Sequence, residues 1–113
     1  MIVDDNIASA GALAGLLELS GFDGREAHDG REALDAARAH RPEAILLDIG
    51  LPGMDGYQVA EALRLENEFR GAKIIAVTGY GEEQSILRAR QAGFDHHLVK
   101  PVDFEALLDL LLR

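Results

Sequence analysis

Five side chains carry most of the chemistry open to this sequence: the adjacent Asp4 and Asp5, then Asp48, Thr78 and Lys100. Each lies at or just beyond the end of a short run of strand-like, largely apolar sequence, at residues 1–3, 44–47, 74–77 and 94–99. Three carboxylates brought together repel one another, and a divalent cation is the ordinary compensation. A hard ion held by one or two carboxylates, a carbonyl and several waters is Mg2+ behaviour. Its open positions, with a lysine ammonium and a threonine hydroxyl facing them, would make a site for three phosphoryl oxygens. Asp48 is then the candidate nucleophile, attacking phosphorus in line while Lys100 pairs with the transferred group. Little beyond positioning is asked of the protein. Taken singly, each piece has a plainer reading. Asp48 is equally a helix cap or a solvated loop charge, the acid pair a solvated turn, Thr78-Gly79 a strand end and Lys100-Pro101 a loop.

The elements that must bring these residues together alternate strictly. Residues 1–3 read as a short first strand. Ile7, Ala10, Ala14 and Leu17 recur at helical spacing, with Gly21 placed to end that helix. Residues 22–27 are polar enough for an edge strand. Asp29 with Glu32 resembles a capping box, and Ala33, Leu34 and Ala37 follow on one helix face. After Pro42, residues 44–47 form an apolar run bounded by turn signals, as expected of a strand buried on both faces. A third helix from Asp55 to about Leu65 carries Val59, Ala60 and Leu63 inward, and residues 66–71 read as a polar loop. Residues 74–77 are a second fully buried strand. The fourth helix spans Glu82 to about Ala92, closed by Gly93, the last strand covers 94–99, and Phe104, Leu107, Leu108 and Leu111 form the stripe of a fifth helix.

Five strand-helix repeats demand parallel strands with helices on both faces. The most apolar strands, the third and fourth, belong in the centre and the polar second strand at an edge. The sequence therefore predicts a doubly wound, three-layer flavodoxin-like α/β sandwich, with a five-stranded parallel sheet of order 2-1-3-4-5. Ligands in such sheets bind at the carboxyl ends of the strands, where the five side chains fall. The chain of 113 residues reads as one domain over 1–113, without repeats, linkers or low-complexity segments.

Composition narrows the partners. The 20 acidic against 11 basic residues give a net charge of -9, which disfavours nucleic acid and anionic membranes and favours a cation. No cysteine is present, so thiol nucleophiles, disulfides and zinc-thiolate sites are excluded. No apolar run approaches the roughly 18 residues of a membrane span, and no signal-peptide pattern opens the chain. The expected location is the cytoplasm.

Together, Asp4-Asp5-Asn6, the run Leu46-Leu47-Asp48-Ile49-Gly50-Leu51-Pro52-Gly53-Met54-Asp55-Gly56, Thr78-Gly79 and Lys100-Pro101 resemble the receiver domain of two-component response regulators. The resemblance covers essentially the whole chain. It implies that Asp48 accepts a phosphoryl group from a histidine kinase or a histidine phosphotransfer protein. It further implies that Asp5, Asp48 and the Gly50 carbonyl bind Mg2+, with Asp4 helping through water. Thr78 would swing toward the phosphoryl group, Lys100 would pair with it, and the Lys100–Pro101 peptide would be cis. His97 occupies the position of the family's mobile aromatic switch, so the usual ring movement is in question. The first strand is a few residues shorter than in relatives. The stretch Gly93 to Asp103 looks most like receivers joined to hybrid histidine kinases, and a free-standing receiver is the alternative.

Two other functions compete with this one. A phosphohydrolase using an aspartyl phosphate typically needs an acid two residues after its nucleophile, and Gly50 stands there, leaving no general acid. The expectation is a signalling switch rather than an enzyme, with only slow self-dephosphorylation. A module acting without phosphorylation would have no need of the acid pair, Asp48, Thr78 and Lys100 together. The four histidines, His28, His40, His96 and His97, do not suggest a metal site, because His28 and His40 fall in separate loops.

Overall fold

The computed structural model describes residues 1–79 and 83–113. Its elements run β1 (Ile2–Val3), α1 (Ile7–Leu19), β2 (Glu26–Ala27), α2 (Gly30–His40), β3 (Ala44–Asp48), α3 (Gly56–Arg64), β4 (Lys73–Thr78), α4 (Glu83–Ala92), β5 (His96–Val99) and α5 (Phe104–Leu112). The strands form one sheet of order β2-β1-β3-β4-β5, and every pair is parallel. The start expected for the fourth helix, Glu82, lies outside the described residues.

β3 and β4 are central because they have no polar face to offer water. Ile45, Leu47, Ile74, Ile75 and Ala76 are completely buried. Burying each of the larger aliphatic side chains contributes about 1.5–3 kcal/mol relative to leaving it in water. Alternation splits them between two cores. Val3, Ile45, Leu47, Ile74 and Ala76 pack with residues of α2, α3 and α4, including Leu34, Val59, Leu63 and Ala89. Ile2, Leu46, Ile75 and Val77 pack on the other face with Ala10, Ala14, Leu17 and Leu107 of α1 and α5.

Several boundaries differ from the sequence reading, each for a local reason. The second strand shrinks to Glu26–Ala27 because the residues before it are spent on turns. Gly21 takes a φ of 89°, its amide donates to Glu18 O, and the Phe22 amide donates to Leu17 O, a Schellman cap closing α1. Asp23 Oδ1 then accepts from the Arg25 amide. The last strand starts at His96 rather than Phe94, because Gly93 (φ 104°) and Phe94 close α4 with the same bonding pattern, to Arg90 O and Ala89 O. Residues 66–71 are not merely a polar loop: Asn67–Phe69 form a 3-10 turn that buries Phe69. Ile7, expected on the inner stripe of the first helix, is 68% exposed. At Asp29 the carboxylate accepts from the Glu32 amide at 2.7 Å, which is the N-cap half of the expected box. The complete capping box is at Asp55 and Gln58, at the head of α3.

Candidate functional site

Parallel strands of a common sheet end at one edge, and four of the five ends carry the expected side chains. Asp4 follows β1, Asp48 closes β3, Thr78 closes β4 and Lys100 follows β5. The edge is held in register by the Lys100 amide, which donates to Thr78 O at 2.7 Å, and the Ile49 amide, which donates to Val77 O at 3.1 Å. The Lys100–Pro101 peptide is cis.

Asp48 is 6% exposed and held at both oxygens. Its Oδ2 accepts from Lys100 Nζ at 2.8 Å, and its Oδ1 accepts from the Gly50 amide at 3.0 Å. The loop carrying Gly50 is pinned by close packing. Gly56 donates its amide to Ile49 O at 3.0 Å, and a Cβ there would sit 2.6 Å from Asp48 O and 2.7 Å from Ile49 Cα. Only glycine admits that approach between the start of α3 and the end of β3.

Asp4, Asp5 and Asp48 each present a carboxylate oxygen within 4.8 Å of the others. Asp4 is buried, its Oδ1 accepts from the Asn6 amide at 2.9 Å, and Lys100 Nζ lies 3.7 Å from its Oδ2. Burial pushes the Asp4 carboxyl above its ordinary range, against the Asn6 amide and the Lys100 charge, with Asp48 adding to the rise. Burial alone would lower the Lys100 ammonium. Its hydrogen bond to Asp48, with the charges of Asp48, Asp4 and Asp5, overcomes that and raises it. One ammonium thus faces three carboxylates, and an all-oxygen donor set of that charge fits a hard divalent cation such as Mg2+.

Thr78 and His97 form a second contact on the same edge. Thr78 follows the parity of Ile74 and Ala76, so it faces the α3 and α4 side, and Thr78 Oγ1 lies 3.0 Å from His97 Nε2. Leu98 packs on the opposite face with the α1 and α5 residues. Burial lowers the His97 pKa below its ordinary value.

Two features had no sequence signal. The direct Thr78–His97 bond depends on strand register, which pairs Ala76 with His97 and Thr78 with Val99. At the opposite edge of the sheet, Arg64 reads as a surface charge ending a helix. Its guanidinium instead donates to Gly93 O (2.8 Å), Phe69 O (2.6 Å) and Ala72 O (2.9 Å), and to Asp95 Oδ2 (2.7 Å). It ties together the ends of α3 and α4 and the start of β4, which steadies the sheet without reaching the carboxyl-edge cluster.

Residues 1–112 match the family model of the response regulator receiver domain. The polar-differentiation response regulator DivK of Brucella anthropi is 36% identical over 111 residues, 98% of this chain and 90% of that protein. The chemotaxis protein CheY4 of Vibrio cholerae superposes with a TM-score of 0.93 at 30% identity, covering 99% of this chain and 93% of that one. A response regulator protein from Burkholderia pseudomallei, solved with a phosphorylated aspartic acid, a calcium ion and citrate, gives a TM-score of 0.89 at 34% identity. That match covers 97% of this chain and 64% of the other. With a family match along nearly its whole length and an acidic pocket at the sheet edge where strand topology puts it, this chain belongs to the response regulator receiver domains of two-component signalling.

Proposed function

We propose that Asp48 is the phosphoacceptor of this receiver and that the donor is a phosphohistidine on a histidine kinase or histidine phosphotransfer protein. The observation that carries the proposal is the pairing of the Asp48 carboxylate with Lys100 at 2.8 Å inside a cluster of three carboxylates. In the transfer, an Asp48 oxygen forms a bond to phosphorus as the phosphorus–nitrogen bond of the donor breaks. The imidazole leaves with the electron pair and takes up a proton from solvent. Lys100 moves its pairing from the carboxylate to the phosphoryl oxygens, and Thr78 turns its hydroxyl toward them. His97 is the switch residue that follows Thr78.

Asp5, Asp48 and the Gly50 carbonyl would hold Mg2+, with Asp4 acting through water. When bound, the ion supplies positive charge that offsets the carboxylates and the incoming phosphoryl oxygens. The phosphorylated aspartate and calcium ion of the Burkholderia pseudomallei relative support this reading, because calcium also takes oxygen ligands. The domain acts as a signalling switch. A cytoplasmic site of action goes with that role, and no helix among the described residues is long and apolar enough to cross a membrane.

The test is incubation with a small-molecule phosphodonor and Mg2+, followed by mapping of the base-labile adduct by mass spectrometry. One phosphoryl group on Asp48, absent from Asp48→Asn, is the expected result. Label that persists in Asp48→Asn would refute the assignment.

A further inference from the structure

A phosphoryl group on Asp48 would make a mixed anhydride with two ways to lose its phosphate. Attack of water at phosphorus breaks the P–O bond and returns the carboxylate unchanged. Attack at the carboxyl carbon breaks the C–O bond instead, and the nucleophile that every aspartyl residue carries within ring-closing reach is the backbone nitrogen of the next residue. Here that residue is Ile49. Its attack would join nitrogen to Asp48 Cγ, expel inorganic phosphate with the electron pair of the C–O bond, and release the amide proton to solvent. The succinimide so formed has no acceptor carboxylate, and water reopens it to a mixture of aspartate and isoaspartate.

Ring closure turns the Asp48–Ile49 peptide onto the Asp48 side chain, out of the extended conformation of β3. The fold opposes that turn from both sides. The Ile49 amide donates to Val77 O at 3.1 Å, which holds the nitrogen in the ladder with β4, and Ile49 O accepts from the Gly56 amide at 3.0 Å. The head of α3 lies so close that a Cβ on Gly56 would sit 2.6 Å from Asp48 O and 2.7 Å from Ile49 Cα. We propose that this pinned Asp48–Ile49 peptide protects the phosphorylated acceptor from cyclisation, so that phosphate leaves only by attack at phosphorus and the site can be used again. The inference rests on Asp48 being the phosphoacceptor. Ile49 and Gly56 are then positioning residues, acting through the backbone of Asp48 rather than on the phosphoryl group.

The experiment uses the whole chain, phosphorylated by a small-molecule phosphodonor with Mg2+ and then divided between native buffer and urea with a chelator, at one pH and in water labelled with 18O. The folded sample should return to the unmodified mass, with 18O in the released phosphate and none in residue 48. The urea sample should yield a species one water lighter than the unmodified chain and, later, isoaspartate at residue 48. The cyclised share should be at least about twofold to tenfold lower in the folded sample, the range open to one backbone hydrogen bond. Gly56→Ala, whose methyl group would push on this peptide, should raise the cyclised share in native buffer. If that variant does not fold, the comparison with urea decides alone. Equal cyclised shares in the two samples, or no water-lighter species in urea, overturn the protection and leave the phosphoacceptor assignment standing. A chain that carries no phosphoryl group on Asp48 before it is divided overturns that assignment and the protection with it.

Discussion

The Asp48 carboxylate is oriented by partners at both oxygens, Lys100 and the Gly50 amide, so the proposed transfer would exchange partners around a group already in place. His97 yields a pH prediction at this scale. Burial holds its folded pKa below the ordinary 6.5 of the unfolded chain. Between those values the unfolded state binds more protons. The stability owed to this group is therefore complete above about pH 6.5 and is lost as the pH falls through the folded value. Among the described residues, the charged or titratable groups lining the cavity beside the ring are Arg90 on α4 and, on the chain leading into and along β5, Asp95 and His96. In urea titrations from about pH 7.5 down to about pH 5, wild type should lose stability relative to His97→Phe. A difference that stays flat or moves the other way would contradict a buried, neutral ring. The acid pair, Asp48, Thr78 and Lys100 were legible because each ends an apolar run, a pattern tied directly to strand topology. The Thr78–His97 bond was not, since it needs the register of two strands and the direction of two side chains.

The elements were legible where both faces of a strand are apolar and hidden where backbone groups are spent on caps. β3 and β4 could be read from composition alone. The starts of β2 and β5 could not, because residues 22–25 and 93–94 are drawn into turns and caps by hydrogen bonds that a hydrophobic pattern does not encode. The packing of α3 on β3 was equally invisible, as a glycine in a turn-rich stretch gives no sign of what its missing side chain would strike. Gly56→Ala would place a methyl group 2.6 Å from Asp48 O and should destabilise the fold by about 1–3 kcal/mol, the usual cost of overpacking. It should also loosen the 49–55 loop that carries Gly50. Denaturant midpoints and amide exchange in that loop check this, and wild-type values for both would show that the contact relaxes freely. Arg64→Met tests the opposite edge. Losing a charge-assisted bond to Asp95 and four carbonyl contacts should cost at least about 1.5–3 kcal/mol, while phosphorylation of the folded fraction proceeds at the wild-type rate.

At the scale of the molecule, a chain of net charge -9 concentrates three carboxylates at one end of its sheet. Metal that binds only the folded protein stabilises it by mass action, and Mg2+ at about a hundredfold over its dissociation constant should add about 2.7 kcal/mol. In a domain of this size that is a rise of about 10 °C in melting temperature, and it should shrink in Asp48→Asn. An unchanged melting temperature in millimolar Mg2+ would contradict the metal assignment. The architecture itself was almost wholly legible, because strict strand-helix alternation with two doubly buried strands leaves few parallel topologies to choose from. The phosphoacceptor role proposed for Asp48 joins that architecture to one carboxylate, and a crystal structure with beryllofluoride and Mg2+ is its test. Beryllium bonded to an Asp48 oxygen, Lys100 turned onto its fluorides and one ion among Asp5, Asp48 and the Gly50 carbonyl is the predicted result. Beryllofluoride bound at any other residue, or an Asp48 still paired with Lys100 and unmodified at saturating concentration, would contradict it.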